Sequence, residues 1–365
     1  MAALWAVNAI ACVATNRVGP ERQRATWPAY LGTAGHDASA AERLSPDPQP
    51  EWRTPVGRAV RGSPAPAESV VVVGTAERTV VLLDRRTGAV IWRVGVGGTI
   101  HGGPLFDGTR IFVATEHAPD GRVYAIDLAT GKRRWETDAG SVEAPLALEP
   151  DALYAGNEEG VVYRLQLADG HARWKRGLSG AVRAAPVPTP DGIAVATTDD
   201  TLYLLDPATG GVIRRLGTPG AVLSAPARDG HRLFLATTAG RLLEVDTPDF
   251  TVRWNIAVGD GVYGAPALAH DTVYVLTRAG ALWSVPAGAP DHAHSVDLGI
   301  DALAGPTPTA DGILVGGVTG EVLLVDAGGT IKWRAQVDGP IETPPLVFDG
   351  QLLVAGGHGD LRAYR

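Results

Sequence analysis

The chain repeats itself about every forty residues, eight times over, and few folds accommodate that period. The clearest marker is a proline that follows a small residue and opens an apolar run: Pro64, Pro104, Pro145, Pro186, Pro226, Pro266, Pro306 and Pro344. Downstream, a short apolar run ends at an aspartate, as in Val81 to Asp84, Tyr124 to Asp127, Tyr203 to Asp206, Leu243 to Asp246 and Leu323 to Asp326. A tryptophan follows eight residues beyond that position at Trp92, Trp135, Trp174 and Trp254, with Trp333 one residue early. Helix signals are few, and short strands at this period predict propeller blades.

Each unit reads as four antiparallel strands. The first starts at the repeat proline. The second is an unbroken apolar run, such as Val70 to Val73 or Ile111 to Ala114, which suits a strand buried on both faces. The third ends near the aspartate and the fourth carries the tryptophan. Asp-x-x-Thr-Gly joins these two at Asp84 to Gly88, Asp127 to Gly131 and Asp206 to Gly210. The aspartate accepts backbone N–H bonds and the glycine takes the positive φ that closes the turn, so these residues are structural. The last unit supplies Pro344, Leu352 to Ala355 and Leu361 to Tyr364, then stops without a tryptophan strand. Glu51-Trp52-Arg53 precedes the first repeat proline just as Ile91-Trp92-Arg93 precedes the second. The expected fold is therefore all-β: an eight-bladed β-propeller over residues 51–365, closed by pairing of the N- and C-terminal strands, which leaves few exposed sheet edges.

Composition narrows the function. Net charge is -8 and no basic stripe stands out, which argues against nucleic acid as a partner. No run of eighteen apolar residues exists. The single cysteine, Cys12, follows a short apolar stretch that ends in Ala11. Residues 1–12 thus read as the end of a bacterial lipoprotein signal with lipidation at Cys12, although the basic n-region is missing; an ordinary N-terminus with a chance cysteine is the alternative. Residues 13–50, rich in Ala, Arg, Pro and Ser, read as an extended tether. Within it, Trp27 to Gly32 carries two aromatics and a leucine and is expected to dock on the folded body.

The segment Ala125-Ile126-Asp127-Leu128-Ala129-Thr130-Gly131-Lys132-Arg133-Arg134-Trp135 resembles the tryptophan-docking repeat of pyrroloquinoline-quinone-like propellers. Weaker copies run from Leu82 to Trp92, Arg164 to Trp174 and Glu244 to Trp254, and the resemblance covers residues 51–365. Two branches of that superfamily matter. BamB-like lipoproteins imply a noncatalytic scaffold, bound to protein partners of the outer-membrane β-barrel assembly machinery, at the periplasmic face of the outer membrane and without a cofactor. Quinoprotein dehydrogenases imply pyrroloquinoline quinone and calcium. They are much longer, and they typically carry a vicinal disulfide that one cysteine cannot supply. No oxygen cage for calcium stands out either. The plain forty-residue units fit the first branch better. The alternative is a small quinone-dependent dehydrogenase or ligand-sensing propeller; a carbohydrate- or polymer-binding module has no specific cue.

Some units depart from the pattern. Arg214 stands at a tryptophan position, Gln166 and Pro286 at aspartate positions, and His294 at another tryptophan position. Repeat erosion is the favoured explanation, and partner docking the other. The residue three before each repeat proline should lie at the central channel: Arg61, His101, Arg183, Leu223, Tyr263 and Leu303, with Val142 and Ile341 in the third and eighth units. Glu143 and Glu342 fall one place later. Arg61, His101, Glu143, Arg183, Tyr263 and Glu342 form a candidate pocket for an anionic ligand, against the plainer reading of a hydrated lining. His292 and His294 would share one face of a strand, but no third metal ligand is evident.

Overall fold

The structure, a computed structural model, describes residues 31–33, 36 and 39–365. Cys12, Trp27 and the rest of 1–30 lie outside the described residues. Eight four-stranded antiparallel sheets form the blades of a propeller. Blade 1 consists of β2 (Ala65–Pro66), β3 (Val70–Gly74), β4 (Thr79–Asp84) and β5 (Val90–Gly95), counted from the channel outward. Blades 2 to 7 repeat this order. Blade 8 is composite, with β1 (Pro50–Pro55) outermost, beside β32 (Asp360–Tyr364), β31 (Gln351–Gly356) and β30 (Leu346–Phe348). Trp52 is paired with Ala363 and Arg53 with Arg362, so the ring closes as the sequence predicts.

Burial explains the patterns. All five residues of β3 are buried, as are the four interior residues of β4, because each blade stacks on two others. Outer strands alternate exposed and half-buried, as β5 does, since one face meets a blade and the other meets water.

Packing between blades is carried by the tryptophans. The indole N–H of Trp52 donates to the Arg85 carbonyl at 2.9 Å, that of Trp92 to Leu128 at 3.0 Å, that of Trp135 to Leu167 at 3.0 Å and that of Trp174 to Pro207 at 3.0 Å. Each acceptor lies in the turn of the next blade. Each ring lies flat on that turn's glycine: a Cβ on Gly88 would stand 2.5 Å from Trp52, and one on Gly210 would stand 2.7 Å from Trp174. The glycine is thus required twice, for its positive φ and for the close approach. Asp84, Asp127 and Asp206 each accept the backbone N–H and the hydroxyl of the threonine three residues on. Asp206 titrates below its ordinary value, chiefly through the Thr209 backbone N–H.

The blade that lacks a tryptophan is compensated. Arg214 is exposed, so nothing from blade 4 docks on the blade 5 turn as an indole would. That turn carries Phe250 where other turns carry glycine, at φ 56°. Phe250 is buried and joins Leu204, Leu216 and Val245 in one core cluster. A side chain rising from the turn fills the space that an indole elsewhere fills from above. After His294 the blade 7 turn keeps its glycine: a Cβ on Gly329 would stand 3.0 Å from Val296, the residue two beyond that histidine.

Two expectations are corrected. The described part of 13–50 does not hang free. The Glu42 carbonyl accepts from the Ala310 N–H, Ser39 Oγ donates to the Val347 carbonyl, and Gln49 exchanges two backbone bonds with Arg365. Leu31 and Leu44 are buried in core clusters of the propeller, which supports docking at the end of the Trp27 to Gly32 segment. The eighth repeat proline is Pro345 rather than Pro344. β30 begins directly after Pro345, as β2 begins directly after Pro64.

Candidate functional site

The site is built from the residues that precede the inner strands. Each blade sends one such residue to the channel, and strand register decides which one. In the third unit the proline stands one residue early relative to the strand, and in the eighth Pro344 stands one residue before the repeat proline Pro345. The channel residues there are Glu143 and Glu342, whereas Val142 and Ile341 are buried in the core. That corrects the expected lining at two positions.

These residues enclose a cavity of about 310 Å³. Its lining is divided. Going round the ring from blade 8 to blade 4, Glu342, Arg61, His101, Glu143 and Arg183 are polar. From blade 5 to blade 7, Leu223, Tyr263 and Leu303 make an apolar wall, with Tyr263 42% exposed. All six predicted pocket residues are brought together. Arg183 grips Glu158 through two nitrogens at 3.2 and 2.9 Å and reaches Glu143 at 3.5 Å. Its bond to Glu158 raises the guanidinium pKa further. His101 Nε2 lies 2.7 Å from Glu116 Oε2. Glu116 and Glu158 were not anticipated. They lie in the turns between second and third strands, and only the ring geometry brings them to the channel mouth.

The segment before blade 8 lies at the far side of the channel. Gly350 N–H donates to Glu42 and Leu44 N–H to Asp311, beyond the ends of two inner strands, while His36 Nδ1 lies 2.7 Å from the Pro266 carbonyl. His36 is buried.

Among the described residues, no three His, Cys, Asp or Glu side chains converge to hold an ion, so the channel residues do not fit a bound calcium. His292 lies in a short 3-10 turn (Pro290–His292), while His294 opens the outer strand of blade 6 (His294–Asp297); the two do not share a strand face as the spacing suggested.

Comparison with known proteins places the chain. A relative from Yersinia pestis, outer membrane protein assembly factor BamB, is 30% identical over 114 residues; the match spans 27% of this chain and 28% of that protein. The crystal structure of BamB from Moraxella catarrhalis superposes with a TM-score of 0.75 at 18% identity, covering 87% of this chain and 99% of that one. A europium-containing methanol dehydrogenase gives 0.76 at 13% identity, covering 95% and 99%. The computationally designed Ika8 protein gives 0.74 at 16% identity, covering 87% and 99%. An assembly factor, an enzyme and a design share one architecture, so these likenesses show the fold and leave activity open. The family model described as outer membrane protein assembly factor BamB matches residues 42–188, 119–215, 198–289 and 280–365, nearly the whole propeller. The chain belongs to the BamB family of outer membrane protein assembly factors.

Proposed function

We propose that the protein is a noncatalytic scaffold that binds protein partners during outer-membrane protein assembly, held at the periplasmic face of the outer membrane by a lipid on Cys12. The observation that carries this reading is the family match, which follows the chain through every repeat from residue 42 to 365. Supporting it, the blades are plain four-stranded sheets.

The outer rim offers a place for a partner. The outer strand of blade 4 (Val212–Gly217) has an unpaired edge, and its burial pattern is almost wholly exposed. Val212 and Ile213 are among the few exposed large hydrophobics, beside Arg214 and Arg215. An extended chain adding a strand here would satisfy the free backbone groups and cover both side chains. Crosslinking in native membranes, followed by mass spectrometry, tests the reading. The expected result is recovery of outer-membrane assembly components with the wild type, and less with a Val212→Lys/Ile213→Lys variant. Recovery of no such component would overturn it. Cys12→Ser should move the protein to the soluble periplasmic fraction; a wild type already soluble would remove the anchor.

A further inference from the structure

We propose that the channel cavity is a binding site for a small zwitterion with an apolar body, of the α-amino acid class. Most of the charged lining groups are already committed to partners within the protein: Arg183 is engaged by Glu158 and Glu143, and His101 by Glu116. Arg61 and Glu342 are different. Neither makes a hydrogen bond or ion pair with another described residue, although they come from adjacent blades and line the same cavity. One uncommitted cation and one uncommitted anion lining the same cavity match a ligand carrying both charges. Guanidinium recognises carboxylate through a planar fork, and carboxylate accepts from ammonium.

The opposite wall completes the match. Leu223, Tyr263 and Leu303 present apolar surface to the cavity, and Tyr263 is the only aromatic among the exposed large hydrophobics of the described residues. A ligand side chain against this wall would cover it, with Tyr263 supplying contact area at small conformational cost. Size limits the class. A cavity of about 310 Å³ lies at the small end of the range for ligand sites, roughly 300–1,000 Å³, so it suits an amino acid rather than a large cofactor. A simple anion would leave Glu342 unpaired in the same cavity, and a simple cation would leave Arg61 so. The site therefore selects the species bearing both charges.

Calorimetric titration with L-phenylalanine, 3-phenylpropionate and phenethylamine tests this directly, because the last two each lack one charge. The expected result is saturable binding of phenylalanine to the wild type, with each single-charge analogue weaker by about ten- to a hundred-fold, the usual worth of a charged hydrogen bond. Arg61→Met should weaken phenylalanine to the level of phenethylamine, and Glu342→Gln should weaken it to the level of 3-phenylpropionate. Both residues are at least partly exposed, and thermal melting will confirm that the variants remain folded. Absence of saturable phenylalanine binding, equal binding of all three probes, or unchanged affinity in both variants would overturn the proposal. Membrane crosslinking tests the scaffold reading separately, so the two stand or fall independently.

Discussion

The exchange of an indole for Phe250 can be reversed by mutation, and its energetics follow from the packing. Phe250 is 4% exposed in a core cluster, at a turn position where φ is 56°. Replacing a buried phenylalanine by a residue without a side chain costs about 3–5 kcal/mol. Placing an L-residue in the left-handed region costs roughly 1–2 kcal/mol, which glycine recovers. Phe250→Gly should therefore destabilise by about 1–4 kcal/mol. Arg214→Trp alone should gain nothing, because Phe250 occupies the space that the indole needs. The double variant restores the arrangement of Trp174 over Gly210 and should recover most of the loss. Contacting residues couple by about 0.5–3 kcal/mol, so a favourable coupling above roughly 1 kcal/mol is expected. Guanidinium unfolding of the four proteins measures it. Additivity within about 0.5 kcal/mol would refute the compensation and leave Arg214 as simple repeat erosion.

Three further outcomes follow from the packing. Trp135→Ala removes an indole that is 9% exposed and bonded to the Leu167 carbonyl, and should cost about 3–5 kcal/mol in denaturant unfolding; a loss below about 1 kcal/mol would contradict its docking role. Asp360, buried between Arg53 and Arg362 at 2.7 Å from each, ties the N-terminal strand into blade 8, so Asp360→Ala should cost about 1–3 kcal/mol by the same assay. Burial raises the pKa of Glu244 above 4.5, although the Trp254 indole N–H and nearby arginines oppose it. A raised folded-state value contributes stability below the unfolded value and loses it as pH rises through the folded value. Glu244→Gln, which keeps an acceptor for Trp254, should therefore melt higher than wild type at pH 7, with the gap closing as pH falls toward 4; a gap independent of pH would show that the carboxyl is not penalised.

The ring was legible because each blade repeats the same chemistry: an apolar second strand, an aspartate turn with glycine at positive φ, and a tryptophan. Closure was legible because Trp52 stands before the first proline as Trp92 stands before the second. What escaped was contact between units. Phe250 occupies the fourth position after Asp246, where glycine normally stands, and Arg214 lies a blade earlier; the two substitutions explain each other only once docking is known to cross blades. Channel register escaped for a related reason. Counting from the proline put Val142 and Ile341 on the lining, but the strand start sets the register and turns Glu143 and Glu342 inward. Polar 39–50 reads as tether by composition, because its bonds to the blades are mostly made by backbone groups and small polar side chains.

Whether this propeller serves outer-membrane assembly is measured most directly in the cell. Quantitative mass spectrometry of outer membranes from a strain lacking the gene should show loss of β-barrel proteins, restored by the wild type and not by a Val212→Lys/Ile213→Lys variant that folds normally. Unchanged β-barrel abundance in the deletion strain would contradict the account.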